Sequence, residues 1–421
     1  MRKKIWILNH YANVMFQNKG GRHYWFAENL IKQGYDPIII CSSFFHKGTE
    51  NIIEGSEKIK IEYSNKIPFV FLKTDSYVGN GKARIKNMFQ YFWQVLRNYK
   101  KIERKFGKPD IIIGSSVHPL ACLAALILGK KYKIKKIIEI RDLWPETLLM
   151  MGIVKEKTLL SWLLYKGEKY LYKKADNIIF TMEGGKQYII DKGWDKNIDL
   201  TKIYHINNGV DLDKFRELEK NSFKDEDLDN DKFKIIYTGT IAQANNLERI
   251  IRVAEELKEN KDISFIIYGD GNQRLELEEL IEKKKLENII FKGRVLKEKI
   301  PYILSKADIL LINYIKEDGK YSVFKYGSSH NKLFEYLASG KVILQTVDTG
   351  FDIVESNGCG VVLKTDKKDD DILTKEISEE IVKIKNYGLE QKKKISNNCK
   401  RIAIDYDFKN LTKKLIEVIE K

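Results

Sequence analysis

Cysteine, proline and histidine are scarce in this chain, with 4, 6 and 6 among 421 residues. Cys41, Cys122, Cys359 and Cys399 lie too far apart for any paired zinc spacing, and nothing marks an oxidising compartment, so they read as reduced thiols. Few prolines, and 27 glycines spread without period, exclude a collagen-like repeat and a low-complexity linker. Long apolar runs are missing too. After a basic start only four apolar residues follow, Ile5 to Leu8, too few for a signal peptide, which implies no export and a cytoplasmic location. The longest uncharged stretch, residues 111–129, is interrupted by Ser115-Ser116-Val117-His118-Pro119. It reads as a buried strand, a turn and a buried helix rather than a membrane span.

What is plentiful is charge, at 32% of residues beside 43% hydrophobic, a balance that suits two globular domains of roughly 200 residues each. Residues 1–200 carry 35 Lys+Arg against 19 Asp+Glu, while residues 201–421 carry 40 of each, so the first half holds the entire surplus of +16. A genome rich in lysine codons would load both halves. The asymmetry therefore predicts an anionic surface, substrate or nucleic acid facing the N-terminal domain. Residues 82–108 interleave Lys and Arg with Phe89, Tyr91, Phe92, Trp93 and Tyr99. Such a helix either lies on anionic lipid headgroups or turns its aromatic face into the core. A nucleic-acid partner is not expected, because the second half is neutral and no zinc, helix-turn-helix or RNA-recognition signature is present.

Short β-rich runs alternate with helical stretches nearly throughout, the pattern of parallel sheets. In the first half the runs are 6–9, 37–41, 69–72, 110–113, 136–140 and 177–181; in the second, 234–237, 264–268, 288–291, 308–312, 342–345 and 361–363. The polar segment 217–232 separates the two series. The fold class expected is α/β, with two doubly wound Rossmann-like domains facing across a cleft and ligand sites at the carboxyl ends of their strands. Domain bounds are 1–205, 206–385 and a helical tail, 386–421, that crosses back to the first domain.

Several signals bear on phosphate chemistry. Gly269-Asp270-Gly271 begins like a dinucleotide fingerprint, but Arg274 stands at its third glycine, which argues against a nicotinamide cofactor. Gly20-Gly21 precedes a helix whose N-terminal amides can meet a phosphate. The acidic run 225–231 lacks the glycine and the bidentate glutamate of a calcium loop, so it reads as a solvated loop. The most informative stretch is Ser328-Ser329-His330-Asn331-Lys332-Leu333-Phe334-Glu335. Ser328 or Ser329 caps a helix that ends at Gly340, placing Lys332 and Glu335 on one face. A cation at a helix N-terminus makes sense beside a bound anion, and Glu335 suits ribose hydroxyls. The plainer alternative is a surface ion pair between the two.

Taken in order, Gly20-Gly21, Ser115-Ser116-Val117-His118-Pro119, Arg141-Asp142-Leu143-Trp144-Pro145-Glu146, Asn208-Gly209-Val210-Asp211, Tyr237-Thr238-Gly239-Thr240, Gly269-Asp270-Gly271, Gly293-Arg294-Val295 and Lys332-Leu333-Phe334-Glu335-Tyr336-Leu337-Ala338 resemble a family 4 glycosyltransferase of the GT-B fold. They are similar in particular to bacterial O-antigen and capsule enzymes that transfer N-acetylated amino sugars. The resemblance implies a retaining, metal-independent hexosyltransferase with no cofactor. Its donor is a nucleotide sugar, most plausibly UDP-linked, and its acceptor a lipid-linked or glycan molecule, at the inner face of the cell membrane. By motif position it places Lys332 at the diphosphate, Glu335 at the ribose, Arg294 and Val295 at the base, and Gly20 and Gly21 at a phosphate from the opposite domain. His118 falls by the donor sugar. Asp142 and Glu146, just beyond the strand 136–140, are further candidates, each either an acceptor base or only a cap for the helix that starts near Pro145. Gly239, Thr240, Asn245, Gly269, Ser328, Ser329, Asn331 and Leu333 line the donor. Two departures stand out: Thr240 and Asn245 replace an Arg and a Lys that clamp the diphosphate in relatives, and Gly327 replaces the first glutamate of a pair. Both raise the weight on Lys332. Alternatives are a GT-B nucleotide-sugar epimerase and a non-catalytic sugar-nucleotide binder.

Overall fold

A computed structural model describes residues 2–45, 50–79, 81–116, 118–315, 323–364 and 369–421. Val117 of the Ser-Ser-Val-His-Pro motif lies outside the described residues. The chain divides into two compact units. The first comprises Met1–Asn207, the segment 323–329 and Phe408–Lys421; the second comprises 208–315 and His330–Asp407.

The first unit holds an eight-stranded sheet. Its strands are β1 (Lys4–Leu8), β2 (Asp36–Ser42), β3 (Ile59–Ser64), β4 (Ile67–Leu72), β5 (Ile111–Ser116), β6 (Lys135–Ile140), β7 (Asn177–Phe180) and β8 (Ile203–His205). The order is β3-β4-β2-β1-β5-β6-β7-β8, and every pairing is parallel except β3 with β4. Burial of β4 and β5 along their whole length, and of β1 from Ile5 on, explains the apolar runs Ile5–Leu8, Ile67–Leu72 and Ile111–Ile113: both faces are covered. The Asn65-Lys66 turn, both residues at positive φ, joins β3 to β4.

The second unit is a six-stranded, wholly parallel sheet. Its strands are β9 (Phe233–Thr238), β10 (Ile263–Tyr268), β11 (Ile289–Gly293), β12 (Ile309–Ile312), β13 (Val342–Gln345) and β14 (Gly360–Val362), in the order β11-β10-β9-β12-β13-β14. The order reverses at β9, so the loops beyond β9 and β12 diverge and leave room for a ligand at the carboxyl edge.

The tail departs from the expectation. Helix Leu389–Asp405 packs on helix Asn331–Ser339 inside the second unit, and only Phe408–Glu420 joins the first, against helix Arg22–Lys32. The return therefore begins at Phe408, not at residue 386, because Cys399, Ile402 and Ala403 are buried in the second unit. The segment 323–329 also belongs to the first unit, which strand periodicity did not reveal.

Candidate functional site

In the second unit the carboxyl edges of β9, β10 and β11 end on Gly239, Gly269 and Gly293, and their backbones touch. The N–H of Gly239 donates to Tyr268 O at 3.0 Å and that of Gly269 to Gly293 O at 2.9 Å. Gly269 has φ +147, and a Cβ there would stand 1.7 Å from Gly239 O; only glycine fits. The result is a floor without side chains.

Lys332 hangs over that floor. It sits in the first turn of helix Asn331–Ser339, and its Nζ lies 4.1 Å from the Tyr237 ring centre and 5.4 Å from that of Tyr314. The Nζ is fully enclosed and meets no hydrogen-bond or ionic partner among the described residues. Burial pushes its pKa down to about 7. The alternative, a Lys332–Glu335 ion pair, does not form: Glu335 is ion-paired with Lys297. Among the described residues this ammonium meets aromatic faces and no counter-charge, surroundings that an anion would complement.

The other expected donor residues divide. Thr240 and Arg294 are exposed at the same edge, with Val295 partly covered. Asn245 braces the loop, its Nδ2 donating to Thr240 O at 3.0 Å while its own carbonyl accepts from Asn313 Nδ2 at 2.7 Å. Asn331 is exposed, but Leu333 turns into the core and its N–H goes to His330 O, which leaves it no ligand-facing group. Ser328 and Ser329 do not cap the helix. The N-cap is His330, stacked on Tyr314 at 4.5 Å. Ser328 O instead accepts from Asn207 Nδ2, and Ser329 Oγ bonds Thr181 Oγ1, both in the first unit.

In the first unit, His118 follows β5 and occupies the N-cap of helix Pro119–Tyr132, yet its side chain does not cap that helix. Its Nε2 lies 2.6 Å from His10 Nδ1, and His10 Nε2 lies 2.7 Å from Asn87 Oδ1. Asn87 Nδ2 donates to Asp75 O, which fixes the amide orientation. His10 must then donate from Nε2 and accept at Nδ1, and His118 must donate from Nε2. The remaining atom, His118 Nδ1, is a buried lone pair with no partner among the described residues. Burial, with Arg84 nearby, lowers the pKa of His118 to about 3, so the ring is neutral. It can accept a hydrogen bond from a hydroxyl but cannot serve as a cation.

Gly20 and Gly21 open helix Arg22–Lys32, Gly21 at φ +110. Behind them Arg22 and His23 hold Glu139, which also accepts from Ser115 Oγ at 2.7 Å. Burial favours protonation of Glu139, but Arg22 and His23 hold its carboxyl well below the usual range. Asp142 is exposed and forms no hydrogen bond among the described residues. Glu146 is a structural residue, accepting from Tyr165 OH at 2.8 Å and paired with Lys192. Sequence reasoning gave no role to His10, Asn87, Tyr237 or Tyr314. His10 was findable, since it stands at the carboxyl end of the first strand. Among the described residues no group of three or more His, Cys, Asp or Glu could hold a metal ion.

Residues 24–214 match the model for glycosyltransferase family 4, and residues 219–401 that for glycosyl transferases group 1. The glycosyltransferase MJ1069 of Methanocaldococcus jannaschii is 24% identical over 80% of both chains. The Escherichia coli (strain K12) protein named as colanic acid biosynthesis glycosyl transferase WcaI is 23% identical over 49% of this chain and 51% of its own. Among solved structures, sucrose-phosphate synthase from Thermosynechococcus elongatus aligns with TM-score 0.70 at 13% identity, covering 100% of this chain and 98% of that one. Anabaena HepE in complex with UDP and glucose aligns with TM-score 0.64 at 13% identity over 100% of both chains. WaaG, a glycosyltransferase involved in lipopolysaccharide biosynthesis, aligns at 0.64 and 14% over 99% of both. At these identities the structural likeness carries the fold alone, two Rossmann-like domains of the GT-B type, as the sequence implied.

Proposed function

This chain belongs to the family 4 glycosyltransferases, and from that premise we propose that it is a retaining, metal-independent transferase. It moves a sugar, an N-acetylated amino sugar by the motif resemblance, from a UDP-linked donor to a lipid-linked or glycan acceptor in surface polysaccharide synthesis at the inner membrane face. The observation that carries the donor assignment is Lys332 Nζ, buried over the glycine floor with no hydrogen-bond or ionic partner among the described residues. A diphosphate supplies the missing charge, and the backbone floor lets its oxygens approach. HepE has been solved with UDP and with UDP-glucose, which supports a uridine nucleotide here.

In transfer, the bond from the anomeric carbon to the diphosphate oxygen breaks while positive charge grows on the ring. Lys332 stabilises the departing diphosphate, the role that a metal fills in other transferases. For retention, the acceptor hydroxyl attacks from the face the diphosphate leaves, and the leaving oxygen takes the hydroxyl proton. His118 Nδ1 accepts a hydrogen bond from a donor or acceptor hydroxyl and orients it; exposed Asp142 serves the acceptor. Thermal-shift titration with UDP-, GDP- and ADP-sugars tests the donor, because a ligand that binds the native state raises the melting temperature. Stabilisation by UDP-sugars that Lys332→Met abolishes is expected, whereas a shift retained in that variant would overturn the assignment.

A further inference from the structure

We propose that one helical face of the first unit docks on an anionic lipid bilayer. Helices Lys82–Phe106, Pro119–Tyr132 and Leu159–Lys174 lie side by side there, the middle one touching both others. Tyr91, Val95, Cys122, Leu126, Leu171 and Tyr172 turn inward from them and join the core. The outward residues are not the polar set of a solvated helix. The first helix exposes Ile85, Phe89 and Trp93, one turn apart, so the basic aromatic stretch divides, with Tyr91 and Phe92 in the core and Phe89 and Trp93 outside. The third exposes Leu159, Leu160, Trp162 and Leu163, Leu159 being 73% exposed. The turn before it adds Met151 and Ile153 at 64% and 65%. Single exposed apolar side chains need no explanation; a cluster of this density marks a contact surface.

Charge selects the partner. The three helices carry 14 Lys and Arg against two Glu. Glu168 is buried between Tyr172 and Tyr188, and Glu103 is held by Lys100 and Tyr132. A second copy of the chain would press this cationic face against its like. Nucleic acid would meet the lysines and leave Leu159, Leu160 and Leu163 in water. A bilayer with anionic headgroups takes both, the apolar side chains below the phosphates and the lysines level with them. Lys166 lies 4.0 Å over the Trp162 ring and Arg97 5.9 Å over that of Trp93, pairing a ring that suits the interface with a cation that suits the headgroup. Among the described residues no helix is long and apolar enough to cross a membrane, so the face lies on the surface rather than spanning it.

The inference rests on the membrane-apposed acceptor of the proposed function, and it is tested without substrate so that the two can fail separately. The full chain is floated with vesicles of phosphatidylcholine alone and with vesicles containing about 30% phosphatidylglycerol, at low salt and at about 0.5 M salt. Binding to the anionic vesicles, weakened by salt, is expected. The variant Leu159→Ser/Leu163→Ser should lose on the order of tenfold in partitioning, and Lys166→Gln/Lys169→Gln should lose severalfold together with the salt dependence. These side chains are exposed, so melting temperature and UDP-sugar affinity should hold in both variants. Equal binding to the neutral vesicles, unchanged partitioning of the leucine variant, or a dimer that the leucine variant dissolves in sedimentation would each overturn the proposal.

Discussion

Lys332 and His118 are both titratable groups that burial keeps from their usual charge, and each makes a separate prediction. The folded pKa of Lys332, about 7, is below its unfolded value, so between pH 7 and about 10 the unfolded state binds the extra proton and folding opposes it. Replacing Lys332 with Met should therefore raise the ligand-free melting temperature near neutral pH, by roughly 2–4 °C for each kcal/mol relieved. The same variant should lose UDP-sugar binding. Wild-type affinity should weaken as pH rises above 7, because the neutral amine cannot hold a diphosphate, while residual binding by the variant stays flat; calorimetry across pH 6 to 9 reads both. For His118, the Nδ1 lone pair requires the neutral ring and the Asn87–His10 relay that fixes its tautomer. His118→Ala should lose about 100- to 1000-fold in turnover. Asn87→Leu should lose less and distort the pH profile, whereas the wild-type profile should show no step near pH 6.5 from this ring, whose pKa is about 3.

At the scale of elements, the motifs marked where strands end but not what the ends contact. The runs beginning Ile5, Pro37 and Val342 stand out because both faces are covered and apolar residues repeat without interruption. β3 escaped notice because it is an edge strand of alternating Lys60, Glu62 and Tyr63, closed by Asn65-Lys66 rather than the more telling Asn-Gly. The serine cap was misplaced for a physical reason: both serines are good capping residues, but Thr181, remote in sequence, claims Ser329 Oγ, and Asn207 holds the backbone of Ser328 through its carbonyl. Glycines were legible as punctuation, whereas their mutual contact across β9 and β10 was not. That contact predicts the outcome of Gly269→Ala. The new methyl meets a backbone carbonyl rather than a flexible side chain, so the loops must part, at a cost of about 1–3 kcal/mol of strain. Donor affinity should fall with the floor, measurable by thermal shift, while Gly34→Ala, where a Cβ meets nothing within 4 Å, should leave donor affinity unchanged.

On the scale of the whole molecule, the chain returns to its first unit after completing the second, and no local pattern announces it. The sequence reads as a helical tail at the C-terminus; which sheet each of its helices covers is decided by partners far away in the chain. For Phe408–Glu420 those partners are definite. The Phe408 ring meets Phe26 edge-on at 5.3 Å, Asn177 Nδ2 donates to Val418 O at 2.8 Å, and Lys135 Nζ donates to Ile419 O at 2.9 Å. Phe408, Leu411, Leu415, Val418 and Ile419 are all buried. At roughly 1.5–3 kcal/mol for each such side chain, their burial rivals the ~5–15 kcal/mol by which a domain is stable at all. Deleting residues 408–421 should therefore unfold the N-terminal unit, although not one residue of its first 207 is changed. Hydrogen exchange locates the damage: protection should vanish in β1, β6 and helix Arg22–Lys32 while β9, β10 and β12 keep theirs. Uniform loss across both sheets, or none, would mean that the last helix is not the N-terminal unit's own closing element.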